Sequence, residues 1–251
     1  CQKADIEFST SPYDYEAVDE VNNLVNFFKI GSGDISWTQF IEYVVSKNKP
    51  VILATGAADL DDVERAVSHC KMDKLILLQC NTNYTVEKEK HKYVNLNVIK
   101  KYHELYPNIT LGLSDHTLGH GSVLGSIPLG GRVFEKHFTD DNNREGPDHK
   151  FALNPKKWSE MVEMSLEVFE TLGDGNKRIE DNEKNAFIVQ RRSIVANKDL
   201  PSGHEITESD LNFLRPCPEN SFHPYEAKNL IGKKLLKAKK RNESLLKDEI
   251  C

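Results

Sequence analysis

Long apolar runs are missing from this sequence: none approaches the ~18 residues of a membrane span. The N-terminus, Cys1-Gln2-Lys3-Ala4-Asp5, lacks the charged-then-apolar layout of a signal peptide. Cysteine is scarce. Five thiols, at positions 1, 70, 80, 217 and 251, form no CxxC pair and their number is odd, so neither a disulfide framework nor a zinc knuckle is suggested. Reduced thiols in a cytoplasmic protein are the expectation. There is no excess of positive charge either: 33 Lys and Arg stand against 39 Asp and Glu, net -6, which leaves no electrostatic footprint for nucleic acid. The one basic stretch, Lys233 to Arg241, reads first as a solvated face, with a phosphate-binding patch as the alternative. No solenoid repeat or low-complexity segment interrupts the chain. An initiator Met is lacking, and the chain runs within a few residues into an expected strand, so a missing start is expected.

What is present is an alternation of two periodicities. Short β-rich runs occur at Ile6 to Thr10, Phe27 to Gly31, Val51 to Thr55, Leu75 to Cys80, Thr110 to Ser114 and Arg132 to His137. Helical stripes lie between them: Trp37, Phe40, Ile41, Val44 and Val45, then Leu60, Val63, Ala66, Val67 and Cys70. Asn154-Pro155 pairs an N-cap with proline at the first helical position, ahead of a stripe of Trp158, Met161, Val162, Leu166 and Phe169 and a Gly173 stop. Strand-helix alternation implies a parallel α/β sheet with right-handed crossovers. Nearly every strand ends in polar groups, which is the layout of a barrel mouth rather than of a single switch point. The expected architecture is therefore a (β/α)8 TIM barrel lacking its first two strands, over residues 1–173. A polar linker (174–186) and a small, mostly β domain (187–251) follow, with strands at Arg192 to Ala196 and Leu235 to Ala238.

Three constellations carry chemistry. Lys29-Ile-Gly-Ser-Gly-Asp34 closes a strand with a Gly-rich turn, in which backbone N–H groups, Lys29 and Ser32 could cradle a phosphate or carboxylate. An ordinary strand-to-helix turn would read the same. Ser114-Asp-His-Thr117 and Glu135-Lys-His-Phe-Thr139 close two consecutive strands. Their imidazoles, His116 and His137, form a candidate ligand pair for Mn²⁺, Fe²⁺ or Zn²⁺, although each could be a satisfied polar side chain. Arg144-Glu-Gly-Pro-Asp148 is either a turn or a loop offering a carboxylate to sugar hydroxyls.

With Ile52-Leu-Ala-Thr-Gly56, Arg191-Arg-Ser-Ile, Gly203-His-Glu-Ile-Thr and Leu214-Arg-Pro216, these motifs resemble, over essentially the whole chain, the N-acetylneuraminate (sialic acid) synthase family. The resemblance implies a phosphoenolpyruvate-binding barrel joined to an antifreeze-like SAF domain of β-clip type. It makes His116 and His137 the Mn²⁺ ligands, and Lys29, Ser32, Ser114 and Thr10 phosphoenolpyruvate contacts. Tyr84 and Asp148 would hold an N-acetylated hexosamine, Glu135 would stand beside the metal, and Glu135 or Asp34 would move the proton. Arg215 would read the acyl group across a domain-swapped homodimer. Five departures stand out: Asp34 where several members carry Glu, Ala54 for a phosphate-contacting Ser, a varied Asn81-Thr82-Asn83, an extra residue near Thr10-Ser11-Pro12, and Cys217 in place of Gly. The first two barrel strands, with a further phosphate-binding Lys, would be absent, so one sheet edge beside Ile6 to Thr10 and another beside Arg132 to His137 should be open. A sugar-phosphate-condensing relative without the trailing domain and a non-catalytic sugar-binding barrel are the rival readings.

Overall fold

The computed structural model describes residues 1–84 and 88–251, and the chain forms two compact units, Cys1–Asp174 and Gly175–Cys251. The first is built on five parallel strands in the order of the sequence: β1 (Phe28–Ile30), β2 (Val51–Ala54), β3 (Leu75–Cys80), β4 (Thr110–Asp115) and β5 (Gly131–Lys136). The crossovers carry α2 (Thr38–Ser46), α3 (Leu60–Ser68), α4 (Asn97–Leu105) and α5 (Gly121–Ser126); α1 (Tyr15–Val21) precedes the sheet and α6 (Pro155–Thr171) follows it.

Side chains alternate across each strand, and here the alternation separates core from site. Phe28, Ile30, Leu53, Leu75, Leu77 and Leu111 point to the face where Phe40, Ile41 and Val44 of α2, Val63 and Val67 of α3, and Ile99 of α4 complete one buried cluster. The opposite parity carries Lys29, Ala54, Cys80, Ser114 and Glu135. Only a small cluster of Ala54, Leu78 and Cys80, with Ile52, Ile76 and Val133, packs on that side. Gly112 is what lets β4 and β5 meet at the register shift between Leu111 and Gly112: a Cβ there would lie 1.9 Å from the Val133 carbonyl oxygen.

Local signals set the helix ends. Asp59 caps α3 by accepting from Asp62 N–H, and its own N–H donates in return to the Asp62 carboxylate. Asn154 caps α6, Pro155 takes its first position, and Gly173 leaves it with φ +59°.

One expectation for this unit does not hold. Ile6 to Thr10 is no strand. Its ties to β1 are the Lys29 N–H to the Thr10 carbonyl (3.4 Å) and the Ser9 hydroxyl to the Phe27 carbonyl (2.9 Å), and Ile6 and Phe8 are exposed because no layer covers them. The sheet is open: among the described residues β1 pairs with β2 and β5 with β4, and no further strand lies beside either, so the open edge expected beside Arg132 to His137 is present, while the one expected beside Ile6 to Thr10 falls to β1. On α6 the outer half of the expected stripe, Val162, Leu166 and Phe169, is exposed along an apolar groove of about 400 Å³.

The second unit holds α7 (Lys184–Gln190), within what reads as linker and domain start, and a two-stranded antiparallel sheet of β6 (Ser193–Ala196) and β7 (Leu211–Leu214). Leu235 to Ala238 forms no strand; Leu235 makes an isolated bridge to Ile250. Ile194, Leu200, Ile206, Leu230, Leu235 and Leu245 form its core. The basic stretch is not uniformly solvated, because Lys239 turns inward and pairs with Glu249. No helix among the described residues is long and apolar enough to cross a membrane.

Candidate active site

The strand exits of the first unit gather two adjoining groups of side chains. At the first, Lys29 of β1 and Ser114 of β4 converge on one carboxylate. Lys29 Nζ lies 3.2 Å from Glu135 Oε2, and the Ser114 hydroxyl donates to Glu135 Oε1 at 3.1 Å. Ser32, in the turn after β1, accepts from Gly56 N–H at 2.8 Å. The Cys80 thiol lies between Ser32 and Ser114. Burial pushes its pKa up, against the hydrogen bonds of those two hydroxyls and the charge of Lys29, so it is a poor nucleophile. Gly56 lets this floor close up, since a Cβ there would fall 2.3 Å from Thr82 and 2.9 Å from the Ser32 hydroxyl. Asp34 ends the same turn, its N–H on the Gly31 carbonyl, and Thr10 joins through its carbonyl on Lys29 N–H.

At the second group, just past β4 and β5, the rings of His116 and His137 lie 5.2 Å apart. His116 Nδ1 is 2.9 Å from the Asn81 carbonyl and His137 Nδ1 is 3.4 Å from Asp148 Oδ2. Burial pushes the His116 pKa down and so favours the neutral ring, opposed by the Asn81 carbonyl. Tying Nδ1 to an oxygen acceptor leaves Nε2 with its lone pair, the usual preparation of a metal-binding imidazole. His116 is prepared in this way, and with His137 beside it the two rings could hold a divalent ion. Among the described residues no group of three His, Cys, Asp or Glu side chains is placed to hold one, so water or substrate oxygens would complete the coordination. Tyr84 packs over both rings, 4.2 Å from His116 and 5.7 Å from His137. Asp148 is placed by a braced loop: Thr139 binds His149 Nδ1 at 2.7 Å, and Asn142 donates to the carbonyls of His149 and Ala152.

Beneath His116 lies a network that sequence reasoning missed. Lys136, almost fully buried, donates to Asp115 Oδ2 at 2.7 Å and to the Thr117 carbonyl at 2.9 Å, while Asp115 accepts from Thr117 N–H and hydroxyl. Lys90, also buried, donates to the His116 carbonyl and, at 3.3 Å, to that of Asn83. Both sit in charged runs, where a sequence gives no sign of an inward-pointing ammonium. Of the residues singled out from sequence, Lys29, Ser32, Ser114 and Glu135 meet in one group and His116, His137, Tyr84 and Asp148 in the next. Arg215 belongs to the second unit, exposed on the loop after β7.

Comparison with known proteins decides the family. The NeuB family model matches residues 1–177, and the SAF domain model matches residues 191–250. The chain belongs to the NeuB family. This NeuB-family chain is 38% identical over 219 residues to an uncharacterized protein of Methanocaldococcus jannaschii, covering 86% of this chain and 64% of that one. It is 34% identical to the N,N'-diacetyllegionaminic acid synthase of Campylobacter jejuni, over 96% of this chain and 72% of that enzyme. The chain thus spans about two thirds of the length of these relatives. Among solved structures, the N-acetylneuraminic acid synthetase of Leptospira borgpetersenii in complex with citrate superposes with a TM-score of 0.68 at 28% identity, covering 74% of this chain and 65% of that one.

Proposed function

We propose that this NeuB-family chain condenses phosphoenolpyruvate with an N-acetylated hexosamine to give a nonulosonic acid and phosphate. The observation that carries the reading is the seat formed by Lys29 and Ser114. Two donors from different strands already close on one carboxylate, beside a pair of neighbouring imidazoles. A carboxylate held this way marks an oxyanion site, and phosphoenolpyruvate brings both a carboxylate and a phosphate.

In the proposed reaction Lys29, Ser32 and Ser114 hold the anionic groups of phosphoenolpyruvate, with Thr10 beside them. Tyr84 and Asp148 orient the open-chain sugar so that its aldehyde meets the terminal carbon of the enol; orientation of this kind can supply ~7–11 kcal/mol of a barrier. A divalent metal, Mn²⁺ in this proposal, held by His116 and His137, supplies Lewis-acid polarisation of the aldehyde when bound. The new C–C bond forms from the enol π pair, water adds at the carbon bearing the phosphate, and phosphate departs with its bridging oxygen by C–O cleavage. Glu135 or Asp34 moves the proton of that water. Arg215, supplied by the second unit of a partner in a domain-swapped homodimer, reads the acyl group. Cytoplasmic residence is part of the proposal.

N-acetylmannosamine, and the 2,4-diacetamido sugars leading to legionaminic or pseudaminic acid, are all compatible with Tyr84 and Asp148. The test is phosphate release and product mass on incubation with phosphoenolpyruvate, Mn²⁺ and each of these sugars, using the chain and a version extended to the relatives' length. A product of sugar plus pyruvate mass with one acceptor is expected. Absence of acceptor-dependent phosphate release from both proteins refutes the reading.

A further inference from the structure

Lys90 is a surface-type residue in an inward position. It lies in the short 3-10 helix Lys88–Tyr93, inside the run Lys88-Glu-Lys-His-Lys92, yet it is only 3% exposed. Burying an ammonium is costly unless oxygen acceptors surround it, and the acceptors here are informative. Its Nζ donates to the main-chain carbonyls of Asn83 and His116, and it stands 5.1 Å from the centre of the Phe151 ring. Asn83 lies between Asn81, whose carbonyl receives His116 Nδ1, and Tyr84, whose ring covers His116. Phe151 in turn packs on His137, ring centres 5.0 Å apart. One ammonium therefore joins the β3–α4 loop to the exit of β4, behind the imidazole that both segments orient.

We propose that Lys90 is a positioning residue: it clamps the Asn81–Tyr84 segment to the backbone of His116 and so fixes the ring orientation and tautomer of His116. Its metal consequence rests on the proposed function, but the clamp itself does not. With Lys90 in place, Nδ1 stays on the Asn81 carbonyl and Nε2 faces the site. Without it, the carbonyls of Asn83 and His116 turn toward water, and the loop carries the Asn81 acceptor away from the ring. Hydrogen-bonding partners of this outer kind typically change metal affinity ~10–100-fold when removed.

The test uses the full chain and three variants: Lys90→Met, which keeps the length without the charge, Lys90→Gln, and Lys90→Arg. The readouts are the ¹⁵N chemical shifts of the His116 ring in the metal-free protein and Mn²⁺ affinity by electron paramagnetic resonance. Wild type and Lys90→Arg are expected to show one His116 tautomer, protonated at Nδ1, and similar Mn²⁺ affinity. Lys90→Met is expected to show mixed tautomers and about 10–100-fold weaker Mn²⁺ binding. Should Lys90→Met not fold, Lys90→Gln carries the comparison, with an affinity below that of Lys90→Arg. A single unshifted tautomer in the folded Met or Gln variant overturns the clamp. If wild type binds no Mn²⁺ at a His116-dependent site, the metal reading of His116 fails instead, and the tautomer measurement still decides the role of Lys90.

Discussion

Replacing Glu135 with Gln should strengthen, not weaken, the binding of a small oxyanion. The donors assigned to phosphoenolpyruvate, Lys29 Nζ and the Ser114 hydroxyl, are occupied by Glu135 at 3.2 Å and 3.1 Å. An incoming anion must displace that carboxylate. The Glu135 side chain is 44% exposed and that of Lys29 14%, so water screens the pair and it lies toward the exposed class, worth ~0–1 kcal/mol. Glu135→Gln keeps the shape and removes the competing charge, so phosphate and phosphoenolpyruvate should bind up to about 5-fold tighter, since a tenfold change is ~1.4 kcal/mol. The gain should shrink as ionic strength rises. Isothermal titration calorimetry without metal or acceptor measures it, with Lys29→Met as the variant that loses binding. Weaker binding to Glu135→Gln would mean that Glu135 contributes to the anion site, and the competition argument would be wrong.

Lys136→Met leaves the buried Asp115 carboxylate with its Thr117 donors but no countercharge in contact and should cost ~3–5 kcal/mol in urea unfolding of the first unit, because it strands one charge of a buried pair; a loss below 1 kcal/mol would show that water reaches Asp115. In the second unit, burial pushes the Asp210 carboxyl up, but hydrogen bonds from Lys198, His204 and Thr207 overcome it and hold the pKa well below 3.8. A depressed carboxylate contributes stability that is present above its unfolded pKa and lost as pH falls through the folded value. Asp210→Asn should therefore destabilise at pH 7 and flatten the acid limb below about pH 4, read by thermal melts across pH. Arg215→Ala should raise KM for the sugar far more than for phosphoenolpyruvate, and mixing it with His116→Ala should restore part of the activity; no restoration in verified heterodimers would argue for a site completed within one chain.

How far these features were legible depends on whether the signal was local. The ends of α6 could be read from Asn154-Pro155 and Gly173, because a cap and a stop are set by a few adjacent residues. The nearness of His116 and His137 was legible because consecutive parallel strands place their exits side by side. Ile6 to Thr10 has strand composition, but pairing depends on a neighbour and a covering layer, and a composition holds neither. Leu235 to Ala238 misled in the same way: its backbone bonds are satisfied one at a time by His204, Gly203 and Glu249. The burial of Lys136 could not be read at all, since its partner Asp115 lies 21 residues away and only the register Asp115↔Lys136 joins them. Lys90 was hidden by its neighbours, which look like a solvated run.

The internal neutrality of the Asp115–Lys136 pair has a consequence for how such a site can diverge. Because its charges cancel within one contact, this pair, which supports Ser114 and His116, places no net demand of its own on what lies above it. Side chains at the mouth, Tyr84 and Asp148 among them, hang from loops and touch that pair only indirectly. Exchanging them alters which sugar is welcomed while the support stays in place. Drift in acceptor choice should therefore accumulate at positions such as 81–84 and 142–149 at small cost in folding, whereas a change at 115 or 136 must be answered by its partner.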